Sequence, residues 1–340
     1  MKLIKTEEAV GQVLCHDITQ IIKGVTKDAV FRKGHVIREE DVPVLLSVGK
    51  DHVYIWENDE TMMHENEAAE VLCRIARGEN IERGGVKEGK IELFAACDGV
   101  LLVDREAMHT VNSFGQMMIA SRHGGFPVKK GDKLAGTRII PLVIEKEKME
   151  RVEEAVEGRP VLRVLPFPAR KVGIVTTGNE VFYGRIEDTF TPVVISKVEE
   201  FGAVIGGHKV CNDESDNIIA AIRELLDEGC DMILCTGGMS VDPDDKTPLA
   251  ISTVADEVIT YGAPVLPGAM FMLGYYGEHD IPIMGLPGCV MYAKRTIFDL
   301  ALPRIMADVK LTKEDFDAMG EGGLCLNCEV CTYPNCGFGK

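Results

Sequence analysis

Two stretches of this chain pair reactive residue types with a spacing suited to chemistry. The first is CTGGMSVDPDDKTP, residues 235–248: a strand-like run ends in Gly237 and Gly238, and a polar loop leads to a helix expected near Asp244 or Asp245. Paired glycines let backbone pass close to a ligand, and amides at a helix start can face a phosphate. Asp242, Asp244 and Asp245 supply oxygen ligands of the kind Mg2+ prefers, so the loop can set a cation between protein and phosphate. The same residues also make an ordinary strand-to-helix turn with a capping Asp and solvated acids. TTGNEV, residues 176–181, lies at another strand end, and Glu180 and the later Asp188 join these carboxylates if the two strand ends are neighbours. By itself TGN also reads as a plain turn, with Asp188 flanking a helix.

The second stretch is Cys325-x2-Cys328-x2-Cys331-x4-Cys336. Four thiolates in so short a loop match the ligand count of an iron–sulfur cluster or a four-cysteine Zn2+ site. The spacing approaches the iron–sulfur run of bacterial ferredoxins, with a last gap one residue longer, so iron–sulfur is favoured over zinc. Glycines at 320, 322 and 323 precede the run and predict a flexible tail that binds metal independently of the rest. The histidines show no HxH or HxxxH spacing and are read as surface or core residues. Cys289 is read as a small buried hydrophobe near the ligand.

These segments need a frame. From Lys171 strand and helix signals alternate as in βαβ units: VGIVT, a helix capped by Thr191 with Pro192 in its first turn, strand 204–210, a helix stopped by Gly229, and strand 232–235. Segments 258–265 and 281–284 extend the sheet, and 292–306 closes it with a helix. The pattern predicts an α/β fold, a doubly wound and mostly parallel sheet with ligands beyond the carboxyl ends of its strands, preceded by N-terminal β-rich accessory regions. The expected division is a small α+β unit at 1–58, a connecting helix at 59–85, a β-rich unit at 86–165, the α/β domain at 166–310 and the cysteine tail at 311–340.

The 340 residues, 46% hydrophobic and 27% charged, suit two or three globular domains. No apolar run approaches the roughly 20 residues that span a bilayer. The N-terminus lacks the apolar core of a secretory signal, so a cytoplasmic protein is expected. A net charge of −17 repels polyanions and argues against nucleic-acid binding.

TTGNEV, RIEDTF, VCNDESDNI, DMILCTGGMSVDPDD, VLPGAM and GLPG occur in the order and spacing of the molybdopterin-binding fold, and residues 168–305 resemble it well. The chain is similar to the MoeA/gephyrin-type molybdenumtransferases, with a looser resemblance in AVGQVLCHDIT, FRKGHVI and LSVGKDHVYIW. Thr177, Gly178 and Glu180 match the family's TGDE, with Asn179 at its Asp; Asp188 and Thr189 match its DT pair; Gly237, Gly238, Ser240 and Asp245 match GGxS…D. PGKP becomes Pro267-Gly268-Ala269-Met270, GLPGNP becomes Gly285-Leu286-Pro287-Gly288-Cys289-Val290, and no DGYA segment is found. The resemblance implies a molybdenum-cofactor biosynthesis transferase that binds molybdopterin or molybdopterin-AMP and inserts molybdate or tungstate with release of AMP. It implies catalytic roles for Asp188, Asp245 and Glu180, with Asp188 and Asp245 on Mg2+. A homo-oligomer and a client molybdoenzyme are expected. Loss of the PGKP lysine and of the TGDE acid favours an alternative, a non-catalytic molybdopterin carrier or sensor. A third reading is a nucleotide-pyrophosphate hydrolase of the competence-damage type, which shares the fold.

Overall fold

A computed structural model describes residues 2–22, 26–55, 59–243 and 245–340. Asp244 and Trp56, named above, lie outside them. The chain forms two compact units, residues 1–96, 103–122 and 131–163 in one, and 97–102, 123–130 and 164–340 in the other.

In the first unit, helix Glu65–Ala76 occupies the expected connecting segment. Strand Ile81–Arg83, from the same segment, joins a four-stranded antiparallel sheet with Lys90–Ala95, Lys133–Ile139 and Met117–Ser121. The extreme N-terminus adds the pair Lys2–Lys5 with His52–Ile55, around Leu14, Ile37 and Leu45.

The second unit is the α/β domain. Its elements are β1 (Lys171–Thr177), α1 (Thr191–Glu199), β2 (Val204–Cys211), α2 (Ser215–Asp227), β3 (Met232–Thr236), α3 (Thr247–Val254), β4 (Glu257–Tyr261), β5 (Met272–Tyr276), β6 (Ile281–Leu286), α4 (Ile297–Met306) and α5 (Lys313–Asp317). The sheet order is β2-β1-β3-β6-β5-β4, with the first four strands parallel and β5 and β4 antiparallel to their neighbours. Residues 172–177 of β1 are all buried, as in a strand covered on both faces. Val172 and Ile174 point into a core shared with α1 and α4, through Val194, Val198, Phe298 and Leu302. Val175 points the other way, into a core with Ile218, Ile222 and Leu225 of α2 and Ile251 of α3. Helices on both faces make the fold doubly wound. Gly173 is needed for this, because a Cβ there would come within 3.0 Å of the Leu225 side chain.

Several element boundaries differ from expectation. Thr191 is the first helical residue of α1, and Phe190 takes the cap position. The helix after the double glycine starts at Thr247, not near Asp245. Segment 292–306 is not one helix: α4 begins at Ile297, where Thr296 and Asp299 form a capping box, after a 3-10 turn at Gly288–Met291. Strand β5 carries no clear sequence signal, because FMLGYY contains a glycine and reads as a loop beside PGAM.

The tail differs most. The expectation is a flexible segment, yet Phe316 of α5 and Phe338 are buried in the same core as Phe298 and Leu302. Apolar burial outweighs the freedom that the glycines would otherwise give.

Candidate functional site

The registers gather the motif loops. Parallel pairing sets the carboxyl ends of β2, β1, β3 and β6 (Cys211, Thr177, Thr236 and Leu286) along one edge. Antiparallel β5 starts at that edge, since Met272 pairs with Gly285, and so PGAM lies there too. TTGN, CTGGMS, PGAM and GLPG therefore share one edge of the sheet.

Two of these loops are stitched together. Thr247 at the start of α3 donates its hydroxyl to the Gly237 carbonyl at 2.9 Å, and Thr177 Oγ1 lies 3.2 Å from Thr247 Oγ1. Gly237 and Gly238 have φ of +85° and +56°, and a Cβ on Gly237 would sit 2.2 Å from the Thr177 carbonyl oxygen. Only glycines fit both demands. Gly178, with φ of +134°, turns the chain out of β1, and the Asn179 amide donates to Asp213 Oδ2 at 2.9 Å.

Asp188 is committed to its surroundings. Its Oδ1 accepts the amides of Phe190 (2.9 Å) and Thr191 (3.0 Å), and its Oδ2 accepts the hydroxyls of Thr191 (2.5 Å) and Thr176 (3.2 Å). It therefore caps α1 in place of Thr191. Burial works to raise its pKa, but the bonds from Thr191, Phe190 and Thr176 prevail and hold it below the ordinary carboxylate value. His208, on β2, places Nε2 2.9 Å from Thr176 Oγ1. With the Thr176 proton directed to Asp188, that nitrogen must carry the hydrogen and donate. Sequence reasoning missed His208, because its partners come from two other elements and lie far from it in the chain.

The remaining candidates are spread along the edge. Glu180 and Ser240 are exposed, and Asp245 is half-buried. Thr189 is exposed and donates to Met291 Sδ at 3.2 Å. Pro267 follows a cis peptide bond and accepts the Ile297 amide, and a Cβ on Gly268 would meet the Ile297 side chain. Pro287 is buried and Gly288 exposed. Cys289 is half-buried, and burial pushes its thiol pKa up. Among the described residues, no three His, Cys, Asp or Glu side chains converge as they would around a single metal ion. Asp188 leads into α1 and Asp245 into α3, helices on opposite faces of the sheet.

The cysteine tail lies against this domain. Leu266, just before PGAM, donates its amide to the Gly323 carbonyl and accepts the Cys325 amide, both at 2.8 Å. Lys294, beyond GLPG, donates to the carbonyls of Cys328 (3.0 Å) and Glu329 (2.7 Å). Cys325, Cys328, Cys331 and Cys336 all line one cavity of about 210 Å3.

No helix among the described residues is long and apolar enough to cross a membrane. Residues 3–57 match a family described as a domain of unknown function. Residues 173–307 match the family described as a probable molybdopterin binding domain. A CinA-like protein of Mycobacterium avium (strain 104) is 33% identical over 101 residues, 30% of this chain and 23% of that protein. A CinA-like protein of Mycobacterium sp. (strain MCS) is 36% identical over 85 residues, 25% of this chain and 20% of that one. The matched region thus spans about a quarter or less of these relatives. Among solved structures, the molybdopterin biosynthesis enzyme MoaB of Thermus thermophilus is 24% identical, with a TM-score of 0.37, covering 41% of this chain and 96% of its own. A molybdenum cofactor biosynthesis protein of Pyrococcus furiosus is 14% identical, with a TM-score of 0.26, covering 91% of this chain and 63% of its own. The α/β domain described above, over residues 173–307, is a member of the molybdopterin-binding domain family.

Proposed function

We propose that the loop edge of the α/β domain binds molybdopterin and presents it to a client molybdoenzyme without itself inserting the metal. In this reading the pterin phosphate lies over the Gly237-Gly238 turn, and PGAM and GLPG flank the ring system. The carrying observation is the state of Asp188, whose carboxylate already serves four donors and so does not fit as a ligand of Mg2+. Asn179 in place of an acid and Ala269 in place of a lysine agree with a site that retains binding and lacks the transfer machinery. The tail cysteines hold an iron–sulfur cluster or Zn2+.

A second reading keeps the transferase, with AMP released from molybdopterin-AMP as molybdate or tungstate enters. It is favoured by Asp245, which stands near Tyr261: burial and then the Asp245 charge raise the phenol's pKa. Tyr261 in turn donates to the Met239 carbonyl at 3.2 Å, next to Gly238, which supports a role for this acid at the loop.

The test mixes purified protein with molybdopterin, molybdopterin-AMP, ADP-ribose and FAD, with and without Mg2+. The carrier reading expects retention of pterin, measured as its fluorescent oxidation product, and no AMP release. Mg2+-dependent AMP release that Asp245→Ala abolishes would move the conclusion to the transferase. Hydrolysis of ADP-ribose or FAD would move it to a pyrophosphate hydrolase.

A further inference from the structure

The cavity lined by the four tail cysteines belongs to a fixed piece of the α/β domain. Its floor is Tyr333, whose hydroxyl donates to the Asp299 carbonyl at 2.8 Å and whose ring lies 5.9 Å from that of Phe126 and 6.3 Å from that of Phe338. Cys336 sits between these two buried anchors in the chain. Cys325 is pinned by the backbone pair with Leu266, and Lys294 holds the carbonyls of Cys328 and Glu329. Arg295 stacks 4.8 Å over Tyr333 and lines the cavity together with Cys331. Every cysteine of the run is thus on or beside backbone held by the domain.

Size decides the occupant. Four thiolates on one Zn2+ stand about 2.3 Å from a common centre, hence within about 4 Å of one another. Here all four line one void of about 210 Å3, far larger than a single ion needs. A polynuclear cluster takes one thiolate at each iron, so its sulfurs stand farther apart around a larger body. Three cysteines at two-residue gaps are also the spacing of iron–sulfur loops.

Charge agrees. Asp299, with only 4% of its side chain exposed, is paired with Lys197 at 2.6 Å and Arg295 at 2.8 Å. Lys294 adds a third cation bonded to carbonyls. Among the described residues, the lining of the cavity itself carries two cations, Lys294 and Arg295, and no Asp or Glu. Four thiolates on a dicationic core carry the complementary negative charge.

We propose that this cavity is a [4Fe–4S] site ligated by Cys325, Cys328, Cys331 and Cys336, built into the edge that carries PGAM and GLPG. Loading is a ligand exchange: the four cysteine thiols displace the four terminal thiolates of a preformed [4Fe–4S]2+ core brought by a thiol carrier, four Fe–S bonds break as four form, the four protons pass to the departing thiolates, and no electron moves. Arg295 is a positioning residue that sets the field at the cluster. The inference rests on the tail cysteines being a metal centre, and it is independent of pterin binding.

The full chain, isolated without oxygen or reconstituted with iron and sulfide, is analysed for iron, acid-labile sulfide and zinc, and reduced for EPR. The expected result is about four irons and four sulfides per chain, with a paramagnetic reduced cluster. Cys331→Ser, at an exposed position, should lose the four-iron signal while circular dichroism stays unchanged. Arg295→Gln should retain iron but lower the reduction potential, since loss of a nearby cation makes the cluster harder to reduce; Arg295→Lys should restore it. One zinc per chain and no iron would overturn the cluster while leaving a metal tail. Absence of metal under both treatments would overturn the metal reading itself.

Discussion

Two regions of the α/β domain keep their reactive side chains in opposite ways. Around Asp188 every polar atom is spent on a neighbour: two amides, two hydroxyls and, through Thr176, the His208 ring. Around the tail cavity four cysteines line one space, whose described lining carries two cations and no Asp or Glu. A saturated network stabilises a fold and resists taking a ligand, whereas an unsaturated one with a charge excess invites it. Residue type alone does not separate the two, because Asp and Cys are both ligands in other settings.

The largest effect expected from breaking this comparison is removal of the tail. A chain ending at Gly320 loses Tyr333 and Phe338 from the core, and loss of one buried aromatic alone costs about 3 to 5 kcal/mol. The urea midpoint should fall accordingly. Unchanged stability would return the tail to the separable segment that its glycines suggest.

Next is Asp188→Ala, which strands two hydroxyls and two amides and should cost about 2 to 3 kcal/mol. The effect carries a pH signature. Because the folded pKa is depressed, the Asp188 contribution is complete above about pH 4 and is lost as pH falls through the lower folded value. Asp188→Asn should therefore flatten the acid limb of stability against pH. An unaltered acid limb in that variant would show that the carboxylate is not the structural cap described here.

Gly238→Ala forces a Cβ to 2.8 Å from the Thr247 hydroxyl at a left-handed φ. The strain of about 1 to 2 kcal/mol, placed in the loop proposed to hold the pterin phosphate, should weaken pterin binding about tenfold. Equal affinity for wild type and variant would move the phosphate away from this turn. The smallest effect belongs to His208→Gln, which exchanges one ring donor for an amide donor. A loss of about 1 kcal/mol or less is expected, with pterin affinity unchanged. A large fall in pterin retention would instead make His208 part of the binding surface.

Sequence alone determined the parallel strands of the sheet, the edge at their carboxyl ends and the four motif loops. Strands buried on both faces read as short apolar runs such as VGIVT, and glycines such as Gly237 and Gly178 mark turns whose φ no other residue adopts readily. These signals are local, so they survive without tertiary information. The cysteine spacing was equally plain. Tertiary structure alone decided what each polar group is free to do. Asp188 looks like a metal ligand in RIEDTF, and becomes a cap only when Thr176 from β1 and the start of α1 arrive on either side of it. The tail looks loose after its glycines, and is fixed only because Phe126, Leu266, Lys294 and Asp299, remote in sequence, supply its partners. Spacing encodes geometry within one element; whether a lone pair or an apolar ring is already satisfied depends on elements brought from elsewhere in the chain.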